Sequence, residues 1–273
     1  MPRSVDQTVR QKQSLFIGLG AVLLVSLTGC VPAAKPVQKP AARSASEIDY
    51  QPPPQVTSVR NIAGDIEVFG TAAAKATVRL ARPTGLAGQA VADKGGHWVI
   101  RLPSSGQTEI YGVSETTPER VLQASGYLLV TQGGMGVVLR SGAGALALAP
   151  SMPARVSAFD VDREGGAVVS GFGPAGMKFS VWVDGNKLGE GRADPQGRFA
   201  LPLTGPVNVG HHSLKVFGEA IDAILNVDAT PAASLASSPY RAVQYGPDLK
   251  VDWMTPGGGE QTTWIYGLGG GAK

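Results

Sequence analysis

Three observations predict an all-β fold of two tandem β-sandwiches. Residues 64–102 repeat as residues 165–203 at a single offset of 101, with no gap. Turn signals between short apolar runs recur at about the 8–12-residue spacing that sandwiches show. No amphipathic helical pattern of any length follows the first 30 residues; Pro118–Gln123 offers at most one turn.

The chain opens differently. Arg3, Arg10 and Lys12 precede an uncharged apolar stretch from Leu15 to Val25, and Leu27-Thr28-Gly29-Cys30 closes it. Basic, then apolar, then small residues is the order of a secretory signal over 1–29. The apolar stretch is shorter than the roughly 20 residues needed to span a bilayer. Cys30 is the only cysteine, so it has no internal partner for a disulfide. The run Leu27–Cys30 resembles the bacterial lipobox. That resemblance implies that Cys30 is lipidated and becomes the mature N-terminus. Val31 stands where an Asp would mark enterobacterial inner-membrane retention, so the resemblance implies an outer-membrane lipoprotein of the cell envelope. Without residues 1–29, the chain holds 21 basic and 20 acidic residues, a net of +1. That balance lacks the electrostatic footprint of a nucleic-acid binder. It also offers no polybasic patch for anionic lipid, so attachment falls to the acyl chains.

Residues 30–56 read as a Pro/Ala-rich tether, with Pro32, Pro36, Pro40 and Pro52-Pro53-Pro54. Proline fixes φ and removes amide donors, which disfavours helix and central strand. An extended tether at about 3.1 Å per residue reaches roughly 80 Å. Beyond it, the first β domain is expected over 57–150 and the second over 151–230.

Each repeat carries the same punctuation. Gly70 lies 23 positions before Asp93, and Gly171 lies 23 before Asp194. Ala92–Trp98 matches Ala193–Phe199, with an aromatic two residues past the turn's final glycine in both copies. Asp194-Pro195-Gln196-Gly197 has the residues a type I turn favours, so the aspartates read as turn caps and not as catalytic carboxylates. Asp184-Gly185 is a strong hairpin signal. Thr77–Leu80, Phe179–Val183, Val121–Val130, Val137–Arg140, Ser213–Phe217 and Ala223–Val227 read as strands, with Trp98, Phe199 and Trp182 as core aromatics.

Gly70-Thr71-Ala72, Thr77-Val78 and Ala92-Asp93 through Trp98 resemble the bacterial immunoglobulin-like modules of surface and envelope proteins. The second copy departs at Phe172 and Phe199. The resemblance covers about residues 57–230 and implies two immunoglobulin-like sandwiches without an intersheet disulfide.

Few residues suggest chemistry. There is no nucleophile elbow, phosphate loop or metalloprotease helix, and the histidines lack zinc spacing. Asp160, Asp162 and Glu164 alternate before Gly165 like the start of a calcium loop, but Gly171 stands where the bidentate Glu is expected. Residues 231–273 form a Gly/aromatic-rich tail that holds five of the chain's 17 aromatics. Val251–Trp253 and Gln261–Tyr266 read as two strands of a possible hairpin. Two readings of Trp253, Trp264 and Tyr266 stand: packing on the second module, or an exposed surface for cell-wall glycan or another envelope protein. The sequence therefore predicts a membrane-anchored spacer, scaffold or adhesion-like binding module with no enzymatic activity, metal or cofactor. The alternative is a glycan-binding or enzyme-accessory protein that uses the C-terminal aromatics.

Overall fold

The structure, a computed structural model, describes residues 51–148, 153–231 and 234–267. The signal segment, Cys30 and the tether up to residue 50 lie outside the described residues. Among the described residues all regular structure is β-strand, and every ladder is antiparallel. No helix there is long and apolar enough to cross a membrane.

The first sandwich sets a three-stranded sheet on a six-stranded one. The smaller sheet has β1 (Gln55–Ile62), β2 (Asp65–Thr71) and β5 (His97–Pro103) in the order β1-β2-β5. The larger has β3 (Thr77–Arg82), β4 (Gly85–Val91), β6 (Glu109–Thr116), β7 (Val121–Val130), β8 (Gly136–Leu139) and β9 (Leu146–Ala147) in the order β4-β3-β6-β7-β8-β9. Period-two alternation builds the core. In β5, Trp98, Ile100 and Leu102 point inward, while His97, Val99 and Arg101 point out. The inward set meets Val68, Leu80, Val113 and Leu128.

The second sandwich repeats this plan with β10 (Arg155–Asp162), β11 (Ala167–Phe172), β12 (Lys178–Val183), β13 (Asn186–Arg192), β14 (Arg198–Pro202), β15 (His211–Gly218) and β16 (Ile221–Asp228). One sheet runs β13-β12-β15-β16. The other begins β14-β11-β10 and continues into three further strands: β19 (Glu260–Ile265), β18 (Asp248–Met254) and β17 (Tyr240–Tyr245).

The repeat extends to irregularities. The ladder of β3 with β4 slips between Leu80 and Ala81, and that of β12 with β13 slips between Val181 and Trp182, again 101 residues on. A bulge bends the strand and strengthens its twist, so both copies inherit one curvature. The predicted turns form as read: Asp93 Oδ1 accepts from the amides of Gly95 and His97, and Asp194 Oδ1 from those of Gln196 and Arg198. Asp184 and Gly185 both have positive φ, at 48° and 79°, as a two-residue hairpin loop requires.

Two expectations are corrected and a third is extended. Trp182 is not a core residue; Val181 and Val183 take the inward positions, so pleat parity sends Trp182 to the outer face of its sheet. The tether ends earlier than residue 56, because β1 starts at Gln55 and Pro54 is buried. The hairpin read over Val251–Trp253 and Gln261–Tyr266 forms as β18 and β19, within a three-stranded meander that includes β17 and joins the β10 edge through β19.

That meander changes the architecture. A third core joins Ile110, Leu129, Val137 and Leu139 of the first sandwich to Ala158, Phe172, Leu249, Val251, Trp253 and Ile265 of the second. The larger sheets of the two sandwiches thus pack face to face, giving four layers. Residues 49–273 form one compact unit.

Candidate functional site

The C-terminal aromatics sit on this seam and its margins. β18 alternates so that Leu249, Val251 and Trp253 all face the first sandwich. Trp253 has 0% exposure, and Tyr127 meets it edge-on with ring centroids 5.9 Å apart. Its indole Nε1 donates to Thr263 Oγ1 at 3.0 Å, and that hydroxyl donates to Asp160 Oδ1 at 2.6 Å. Trp264 and Tyr266 lie on the opposite face, against the core of the second sandwich. Trp264 Nε1 donates to the Asp228 carbonyl at 2.9 Å. Its ring stacks obliquely on Tyr245, 5.2 Å away, with the Lys250 ammonium 5.6 Å from its centroid. Tyr266 is buried; burial pushes its phenol upward, and its hydroxyl has no hydrogen-bond partner. The structure therefore does not bring Trp253, Trp264 and Tyr266 onto one surface. What reaches solvent is Tyr245, 52% exposed, beside a half-buried Trp264.

Asp160 is the seam's buried charge. Gln261 Nε2 donates to Oδ1 at 2.9 Å, and the Ala145 amide donates to Oδ2 at 2.8 Å, alongside Thr263. Ser170 Oγ donates back to the Ala145 carbonyl at 2.8 Å, so both sides of the loop before β9 are gripped. Burial pushes the Asp160 carboxyl up to about 6, opposed by the three donors and by Arg140. An unpaired buried carboxylate would be far costlier than this satisfied one. Asp162 instead caps its own turn through the amides of Glu164 and Gly166, and Glu164 is exposed. Asp160, Asp162 and Glu164 do not converge, and among the described residues no three His, Cys, Asp or Glu side chains do.

A second polar contact lies away from the seam. His212 Nδ1 is 2.6 Å from Asp184 Oδ2, and Nε2 is 2.7 Å from the Asn208 carbonyl. Both partners are acceptors, so the ring must donate twice, which only imidazolium does. The hydrogen bond it donates to Asp184 raises its pKa above the ordinary value of 6.5. The stabilisation is therefore full below about pH 6.5 and is lost as pH rises through the raised value. Comparing wild type with His212→Gln by urea denaturation, the stability gap is expected to be largest at about pH 6 and to shrink by about pH 9. A gap that widened with pH would reverse the assignment.

Two clefts open along the seam. One is apolar, lined by Ile110, Tyr127, Pro239, Met254 and Pro256 among others. The other is polar and rich in arginine.

No protein-family model matches the chain, and no curated protein does. Among solved structures, the chain is similar to a "Biofilm associated protein - BSP domain" at 14% identity and a TM-score of 0.23, over 66% of this chain and 30% of that one. It is also similar to the "Central Fibronectin-III array of RIM-binding protein" at 13% identity and a TM-score of 0.27, over 81% and 91%. The chain thus spans less than a third of the first of these. Neither likeness adds to what the sheets show directly.

Proposed function

We propose that this chain is a lipid-anchored envelope protein whose fused β-sandwiches act as a stiff spacer or scaffold, carrying a binding surface and catalysing no reaction. The observation that supports the scaffold reading is the third core. Tandem modules joined only by a linker move relative to one another by default, unless the interface between them is large and hydrophobic. Here a buried apolar seam with its own hydrogen-bonded carboxylate fills that interface. The anchor rests on Leu27-Thr28-Gly29-Cys30 and the apolar run before it. Stable anchoring needs more than one acyl chain, which a lipidated N-terminal cysteine supplies.

The test is fractionation of Cys30→Ser. The substituted chain is expected in the soluble fraction, or as an unprocessed precursor. Mass spectrometry of the wild type is expected to find Cys30 acylated at the mature N-terminus. An unmodified N-terminus at another residue would remove the anchor from this reading.

A further inference from the structure

The polar cleft beside the seam has a volume of about 460 Å³, and its lining includes Arg140, Arg192, Arg198, Asp194, Ser157 and Gln55. The three guanidiniums come from separate elements. Arg140 follows β8, Arg192 ends β13 and Arg198 begins β14. Only Asp194 opposes them in the lining. It lies 3.7 Å from Arg198 and already spends Oδ1 on its turn amides. Among the described residues, Arg140 and Arg192 have no carboxylate within ion-pair distance. Cations outnumber carboxylates three to one in the lining, and three to two when Asp160, behind Ala145, is counted. Arg140 is held in place by the Gly144 and Ala143 carbonyls, at 2.8 and 3.1 Å. Burial lowers its proton affinity, Asp160 raises it and Arg198 lowers it again. Like charges gathered in a partly desolvated cleft repel, and an anion entering it relieves that repulsion.

We propose that this cleft binds a phosphate group, either free in solution or carried by a lipid headgroup. Guanidinium forks match a tetrahedral oxyanion with paired, charge-assisted hydrogen bonds, and converging arginines from separate elements can clasp one from several sides. The cleft is lined by residues of both sandwiches, so occupancy would also bridge them.

The test uses the full chain purified from membranes in detergent, titrated with inorganic phosphate by calorimetry against chloride at matched ionic strength. Saturable binding is expected in the wild type. Arg192→Gln and Arg198→Gln are each expected to weaken it by about ten-fold or more, the scale of one lost charge-assisted hydrogen bond. Lys94→Gln, in an exposed turn outside the cleft, is expected to bind as the wild type does. A second arm measures retention of the soluble Cys30→Ser chain, which lacks the proposed acyl anchor, on phosphatidylglycerol vesicles. Retention that phosphate competes away and that the same arginine variants lose assigns the group to a headgroup; phosphate binding without vesicle retention assigns it to a soluble ligand. Absence of saturable heat, or an isotherm unchanged in both arginine variants, overturns the proposal.

Discussion

Trp253→Ala is expected to destabilise the folded body by about 3–5 kcal/mol, the range for truncating a large buried aromatic. The indole has no exposed surface and fills the space between the two larger sheets. Its loss leaves a cavity that backbone ladders on both sides keep from collapsing. It also strips Tyr127 of its edge-on partner and Thr263 of a donor. Trp264→Ala should cost less, since that ring is only half-buried. Urea denaturation followed by circular dichroism measures both. The wild type should unfold in one transition, because the sandwiches share a core. A Trp253→Ala chain with the wild-type midpoint would mean that the seam contributes no stability.

Gly171→Ala carries the second large effect. An added Cβ would lie 2.2 Å from the Arg155 carbonyl oxygen and 2.5 Å from Phe199 Cζ. Gly70 repeats the arrangement, with the Gln55 carbonyl at 2.1 Å and Trp98 Cζ2 at 2.2 Å. The glycine thus makes room for the turn-following aromatic in each copy. Flexible side chains yield to such a contact, but a carbonyl fixed in the neighbouring strand does not. Overpacking usually costs about 1–3 kcal/mol and more where the backbone must shift, so a loss at or above about 3 kcal/mol is expected. Phe199→Leu in the same chain should not rescue it, because the clash with the carbonyl remains. Gly112→Ala is the control; its nearest neighbour is the Ala81 carbonyl oxygen at 3.9 Å, and its melting temperature should barely move. A Gly171→Ala chain as stable as that control would contradict the close approach of β10 to β11.

The repeat was legible because turns announce themselves. Asp93 and Asp194 cap their own amides, and the aromatics that follow sit in register with Gly70 and Gly171. These are local facts, written in local sequence. The seam was not legible, because it depends on which sheet faces which. β11 reads Ala167–Phe172 and is buried at every position, so it shows no alternation that would name an inner face. Trp182 misled for another reason: its large apolar ring invited an inward reading, although Ser180 marks the same parity as outward. Asp160 looked like half of a calcium loop because its partners, Gln261 and Thr263, lie about a hundred residues away. The sequence placed Trp253 in one strand of a possible hairpin, but not the pairing to both β19 and β17 that makes β18 an interior strand of the larger sheet.

The seam also dictates an order of events. Ile110, Leu129, Val137 and Leu139 are in place once the first 140 or so residues exist, yet their cover includes Leu249 through Ile265. A chain made from its N-terminus must therefore carry an uncovered apolar sheet face until nearly its last strand appears. Contacts that span such sequence separations form slowly, and exposed sheet faces invite association in the interval. The same joint that stiffens the finished body makes its biogenesis hazardous, and any nascent chain arrested before β18 would present that face as a sticky surface.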